Sequence, residues 1–186
     1  MTAALDQVRA DPIAIWHTEH VYFMRLLDLF DAQVAVFESG ARPSYELMLD
    51  IISYLREYSD HYHHPREDIA FARLERHRPQ LAATLARLRQ EHRVIANTGE
   101  TLERLLTAII EGSIVARTEV EAAAATYLVY YGKHIAREES DVLPHASRAL
   151  TPDDWQAVRD AIPAAADPLF GETPVQRYRE LRRRMS

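Results

Sequence analysis

The 186-residue sequence contains no cysteine. Disulfide frameworks, zinc fingers, iron–sulfur clusters and thiol catalysis are thereby excluded together, so any bound metal must be held by His, Asp or Glu. Glycine is scarce, with five residues, and β-branched runs are few, a composition that favours helices throughout. No stretch of about 18 apolar residues occurs, which excludes a transmembrane helix. The opening residues 1–10 carry no apolar leader run. Positive charge is also short: the formal net charge of −6 argues against a phosphate-tracking surface. The one basic concentration, Arg177, Arg179, Arg182, Arg183 and Arg184, reads as a solvated helix face. A cytoplasmic protein that meets neither nucleic acid nor membrane is the expectation. With 47% hydrophobic and 27% charged residues, the chain supports one core of ordinary size.

Punctuation residues divide the chain into long helices. Asp11 and Pro12 open the first, which runs to about Glu38 with Gly40 beyond its end. Pro43 and Ser44 open the second, through a His-rich stretch to about His77, and Pro65 should kink it or split it. Pro79 opens a third that reaches Glu111 and stops at Gly112. Thr118 with Glu121 forms a capping box for the fourth, which extends to about Pro144. Thr151, Pro152 and Asp154 cap a short fifth helix ending near Ile162. A loop-rich stretch with Pro163, Pro168 and Gly171 follows, then a short helix from Gln176 to Arg183. These elements predict an all-α chain: an antiparallel up-down four-helix bundle over residues 1–150, with a C-terminal helical extension, 151–186, packed on it.

Nine histidines are present, and they fall in a pattern. Read at alternating spacings of three and four, the core stripe of the first helix is apolar from Ile13 to Phe37 except at His20. The third is apolar from Leu81 to Ile109 except at His92 and Gly99. The second stripe passes from Ile52 and Leu55 through Ser59, His63 and Glu67 to Leu74, and the fourth from Tyr127 and Tyr131 through His134 and Glu138 to Asp141. At 1.5 Å per residue, His20 and His63 both lie about 27–29 Å from the first loop, and the other interruptions match across their turns. Six groups should therefore form one polar slab inside an apolar bundle.

His63 with Glu67, and His134 with Glu138, are four residues apart, so each pair shares a helix face and can bind one metal or two neighbouring metals. The interval from His20 to His63 is 43 residues and that from His92 to His134 is 42, so the chain reads as two copies of one helical hairpin. Burying four imidazoles and two carboxylates without a cation is costly, which favours a metal over a self-satisfied polar core. Nitrogen and carboxylate donors without sulfur suit iron or manganese and tolerate zinc. His17, one turn before His20, reads as a partly exposed supporting histidine. His61 and His64 offer a second register, with His64 four residues from Asp68, but the Glu partner of His63 copies the fourth helix. Tyr58, Tyr127 and Tyr131 read as core packing or as a proton donor, redox-active phenol or ligand. Asp141 and His145 continue the fourth stripe towards the bundle end.

The pattern His20, then His63-His64-Pro65-Arg66-Glu67-Asp68, then Glu91-His92, then His134 with Glu138-Glu139 and Pro144, resembles the hemerythrin-like, HHE cation-binding family over roughly residues 12–147. The resemblance implies a four-helix bundle with an oxo- or hydroxo-bridged non-haem di-iron centre. It also implies His20, His63, His92 and His134 as terminal nitrogen ligands, with Glu67 and Glu138 bridging the irons. Two positions depart from the oxygen carriers: Ala96 stands where they have a second third-helix histidine, and Glu139 where they have an Asp. The expected activity is reaction with dioxygen, hydrogen peroxide or nitric oxide, as enzyme or sensor. The alternative is non-catalytic iron or oxygen binding and storage.

Overall fold

The computed structural model describes residues 11–163, 165–172 and 175–185, so the expectation about residues 1–10 lies outside the described residues. Among the described residues every regular element is helical. Helix α1 (Pro12–Glu38) starts where the Asp11 side chain accepts the Ile13 N–H at 3.1 Å. It closes at Gly40, whose φ of 83° is a left-handed turn that favours glycine. Ser44 caps α2 (Tyr45–Tyr54) by accepting the Leu47 N–H. From α2 the backbone passes through a π-helical segment, Leu55–His63, directly into α3 (His64–His77).

Pro65 therefore does not split this rod. The His64 N–H reaches back five residues to Ser59 O, and the proline falls in the first turn of α3, where its missing donor costs little. A single 3-10 turn, Pro79–Leu81, leads into α4 (Ala82–Ile110), which ends at Gly112 with φ 87°. Helix α5 (Arg117–Arg137) follows, then a second π-helical segment, Glu138–Val142, and α6 (Leu143–Ala149). The expected Thr118–Glu121 capping box is absent, because α5 begins two residues earlier with Ala116 as its cap and no side-chain cap bond. Glu121 accepts from Arg117 Nε at 2.6 Å instead, while Arg117 Nη2 donates to Phe37 O and Glu38 O, satisfying carbonyls at the end of α1. A capping box does form between Thr151 and Asp154 at the start of α7 (Pro152–Ala161). A 3-10 turn, Gln176–Tyr178, leads into α8 (Arg179–Met185).

The rods pack as a helical bundle: α1 lies against α2 and α5, α4 against α2, α3 and α5, α7 against α3, and α8 against α2. The core falls into two apolar clusters. One, around Phe23, Phe30, Ile51, Leu102 and Tyr127, includes Leu169, Tyr178 and Leu181 from the C-terminal stretch. The other gathers Trp16, Phe71, Leu74, Leu85, Leu88, Val142 and Val158. Gly99 belongs to the interface of α4 with α5, because a Cβ there would meet the Tyr127 ring at 3.2 Å. The basic C-terminal run is only partly a solvated face. Arg177 bonds Asp50 and Ser53 on α2 and ties the extension down, while Arg182 donates to Gly171 O within the extension. Among the described residues no helix is long and apolar enough to cross a membrane.

Candidate metal centre

Between the two apolar clusters lies a buried polar layer. His20, His63, His92 and His134 are at most 6% exposed, and Glu67 and Glu138 are fully buried. Apolar rings close the layer on both sides: Phe23 meets the His63 ring edge-to-face at 5.0 Å, and Phe71 stacks on His92 at 6.0 Å. All six residues singled out by the stripe analysis are thus brought together from four separate helical stretches. Ligand-type atoms of His20, His63 and Glu67 lie within 4.8 Å of one another, and so do those of His64, Glu67, His92 and His134.

The imidazoles form two facing pairs. His20 Nε2 and His63 Nε2 are 3.0 Å apart, and His92 Nε2 and His134 Nε2 are 3.1 Å apart. The two carboxylates straddle these pairs. Glu67 Oε1 is 3.1 Å from His63 Nε2 and 3.4 Å from His20 Nε2, while its Oε2 is 3.5 Å from His92 Nε2. Glu138 Oε1 is 3.2 Å from His134 Nε2 and its Oε2 is 3.4 Å from His20 Nε2.

All four oxygens of Glu67 and Glu138 are buried and accept no hydrogen bond among the described residues. The reason lies on the far side of each ring. His20 Nδ1 faces Glu139 at 2.7 Å, His63 Nδ1 faces Glu19 at 2.6 Å, and His92 Nδ1 faces Asp68 at 3.0 Å. His134 Nδ1 lies 3.5 Å from Glu91 Oε2. A neutral imidazole whose Nδ1–H donates outwards turns the Nε2 lone pair inwards. The lone pairs of His20, His63 and His92 then converge with His134 Nε2 and the two carboxylates, an arrangement that positive charge satisfies. Without a metal that charge falls on the rings: burial alone would lower the His20 pKa, but the bond to Glu139 and the nearby Glu67 and Glu138 charges outweigh it and push it up to about 10. Glu67 and Glu138 stay ionised well into acid, because the surrounding histidines overcome the cost of burial. The donor set fits a cation in each of two adjoining positions.

The outer carboxylates are themselves anchored. Arg66 Nη2 donates to Glu19 Oε1 at 2.9 Å and Oε2 at 2.7 Å, and the Tyr58 hydroxyl donates to Oε1 at 2.8 Å. Burial opposes the Glu19 charge, but His63 and Arg66 overcome it and hold its pKa at about 2. On the opposite side Arg137 donates to both oxygens of Glu91 at 2.5 and 2.6 Å. Sequence reasoning missed these roles, although the signal was present. Glu19-His20 repeats as Glu91-His92, and His63, Arg66, Glu67 and Asp68 repeat as His134, Arg137, Glu138 and Glu139, with offsets of 72 and 71.

His64 breaks that repeat, since Ile135 stands in its place in the second copy. It does enter the layer, stacked on His92 at 4.1 Å, alongside His63 rather than instead of it. Its nitrogens differ from those of the other four rings: Nε2 lies 3.1 Å from Ser59 Oγ and Nδ1 3.4 Å from Asp60 Oδ1. The Tyr131 hydroxyl donates to Ser59 Oγ at 2.5 Å, completing a buried chain from phenol to imidazole. Burial keeps His64 neutral and raises the Asp60 pKa to about 7. Tyr58 is committed to Glu19, and Tyr127 Oη is buried with no hydrogen bond among the described residues. His17 Nδ1 bonds Glu139 at 3.0 Å from an exposed position, the supporting place expected of it. His61 and Asp141 are exposed and His145 half-buried, and none of the three belongs to either group of ligand-type atoms.

No curated protein and no solved structure matches the chain. One family model does, over residues 11–146, a span that contains every side chain of the layer and both π-helical segments. Its description is the Hemerythrin HHE cation binding domain, and the chain belongs to that family.

Proposed function

We propose that this chain is a cytoplasmic, non-haem di-iron protein that reacts with a small oxidant, dioxygen, hydrogen peroxide or nitric oxide, as enzyme or sensor. The fold in this reading is an antiparallel up-down four-helix bundle over residues 1–150 carrying the 151–186 extension. It is supported by the contacts of α1 and α4 with both of the remaining rods. The observation that carries the reading is the set of unpartnered carboxylate oxygens on Glu67 and Glu138, buried among inward-turned Nε2 atoms. His20 and His63 would hold one ion, His92 and His134 the other, with Glu67 and Glu138 shared, since each carboxylate reaches both imidazole pairs. Iron bound there supplies redox capacity and coordination positions that six protein ligands cannot fill.

The chain's own residues do three things. Glu19, Asp68 and Glu139 fix the Nδ1–H tautomer of His63, His92 and His20, which keeps each ring aimed inwards and raises its basicity, and Glu91 lies 3.5 Å from His134 Nδ1. Phe23, Phe71 and Trp16 exclude water from the layer, so that charge within it is weakly screened. Tyr131 Oη, Ser59 Oγ and His64 Nε2 hold a proton in a line from the core to the layer. His64 in this reading carries protons rather than metal, because its Nε2 is engaged with Ser59 Oγ while its Nδ1 faces Asp60 Oδ1 at 3.4 Å.

Metal analysis and an absorption spectrum of aerobically purified protein test the proposal. About two irons per chain with bridging charge-transfer bands are expected, and His92→Ala should lose much of the metal and lower the melting temperature. Full iron retention by His92→Ala would overturn the ligand assignment.

A further inference from the structure

A cavity of about 170 Å³ lies outside the polar layer, walled by α1, the Leu55–His63 segment and α7, and unused by the reading above. Its walls are chiefly aromatic and aliphatic. Trp16 and Trp155 meet edge-to-face at 5.3 Å, with Ile15, Tyr58, Val158 and Ile162 among the lining around them. A dry cavity of roughly 150 Å³ holds one benzene ring, so the space here suits one six-membered ring with a small substituent. Aromatic walls favour a ring that offers faces and edges.

The polar groups on the cavity narrow the chemistry further. Glu19 lines it, but each of its oxygens already accepts two hydrogen bonds: Oε1 from Tyr58 and Arg66, Oε2 from His63 and Arg66. A carboxylate oxygen carries about two lone pairs, so Glu19 has nothing left to offer a donor. Arg66 stacks on the Tyr62 ring, with its Cζ 3.9 Å from the centroid, and commits Nε to Tyr62 O and Nη2 to Glu19. Its Nη1 makes no hydrogen bond among the described residues. Tyr62 Oη accepts the Ala165 N–H at 3.1 Å, which leaves the phenol hydrogen free to donate. The free handles are donors, so the occupant must bring an acceptor. The Arg66 charge is already balanced by Glu19, and Arg159, the other cation on the cavity, is exposed at its rim and holds Gln156 through Nε and Nη2, so a buried carboxylate would cost desolvation without a buried cation to meet it.

We propose that this cavity binds a neutral, monocyclic aromatic carbonyl compound, with its ring against Trp16 and Trp155 and its carbonyl oxygen accepting from Arg66 and Tyr62. Trp16 and Trp155 are the only tryptophans in the chain, so indole emission reports occupancy directly. The inference stands apart from the metal reading and is measured on the protein as purified.

Acetophenone is the probe, with ethylbenzene as the ring lacking an acceptor and benzoate as the anion, followed by tryptophan emission and by calorimetry. Saturable binding of acetophenone is expected, about tenfold tighter than either comparison compound. Tyr62→Phe should weaken acetophenone about fivefold and leave ethylbenzene unchanged, which a loss of fold would not do. Val158→Phe should fill the space and abolish binding. If that variant loses helicity, Ile162→Phe at the rim takes its place. Absence of saturation with acetophenone, equal binding of ethylbenzene, tighter binding of benzoate, or undiminished binding after the cavity is filled would each overturn the proposal.

Discussion

Glu19 directly precedes His20 in the chain, yet its carboxylate serves His63, taking the Nδ1–H at 2.6 Å across 44 residues. Glu91 precedes His92 and faces His134 Nδ1 more loosely, at 3.5 Å, without a hydrogen bond. One dipeptide on each of α1 and α4 thus supplies an inward imidazole for its own rod and a support for the next.

The Glu19 support should be visible in acid. Its folded pKa, held at about 2, lies below the ordinary 4.5, so its stabilisation is present above pH 4.5 and is lost as pH falls through about 2. The difference corresponds to about 3 kcal/mol at neutral pH. Urea unfolding of metal-free protein should show wild type exceeding Glu19→Gln by about that amount at pH 7, with the gap closing towards pH 2. A gap independent of pH would exclude this linkage.

Neighbouring histidines on the second rod should separate cleanly. His63→Ala is expected to halve or abolish metal content, whereas His61→Ala, an exposed change, leaves it intact. His64→Ala should keep the metal and slow the reaction with peroxide, with a changed pH profile. Metal loss in His64→Ala would make that ring a ligand.

Reactivity with oxygen should be one-way. The chain has Ala96 where oxygen carriers of the family place another histidine, so in the proposed di-iron reading each ion would keep an exchangeable position. Reduced protein should oxidise in air and fail to return to its reduced spectrum under argon. Full recovery would favour reversible oxygen binding.

Asp154 joins the extension to the bundle. It caps α7 through Thr151 and also accepts from Arg73 at 3.1 Å and His77 at 2.8 Å. The backbone N–H of Thr151, ahead of the side-chain partners, holds its carboxyl well below the usual range. Asp154→Asn should cost about 1–2 kcal/mol and raise amide exchange in α7 before the long rods. Unchanged exchange in α7 would show that apolar packing alone docks it.

The stripe periodicity exposed His20, His63, Glu67, His92, His134 and Glu138 because an amphipathic helix has one buried face, and a polar residue on it is conspicuous. His64 escaped the same reading for a geometric reason. Adjacent residues on an α-helix point about 100° apart, so a straight rod cannot send both His63 and His64 inwards. The π-helical segment that ends at His63 widens the turn and brings the next ring into the layer, and the periodicity analysis carried no signal for that widening. Glu19, Asp68, Glu91 and Glu139 were hidden because they sit beside the stripe, where acids normally face solvent. Their repetition at fixed offsets, and not their period, distinguishes them. The Thr118–Glu121 motif misled because Arg117 competes for Glu121, an outcome that depends on where the end of α1 lies in space.

The bonds of the polar layer also set an order of assembly during synthesis. His20 waits for Glu139, 119 residues downstream, and Glu91 waits for Arg137, 46 residues on. When the nascent chain has been made through α4, Glu67 and the imidazoles of His20, His63 and His92 have been made but His134 and the second carboxylate do not yet exist. Closing such long loops is slow, and the contacts that reward closure arrive last. A half-made chain therefore offers an ion an incomplete grip, and metal capture at this layer would be a signature of a fully translated, fully folded molecule.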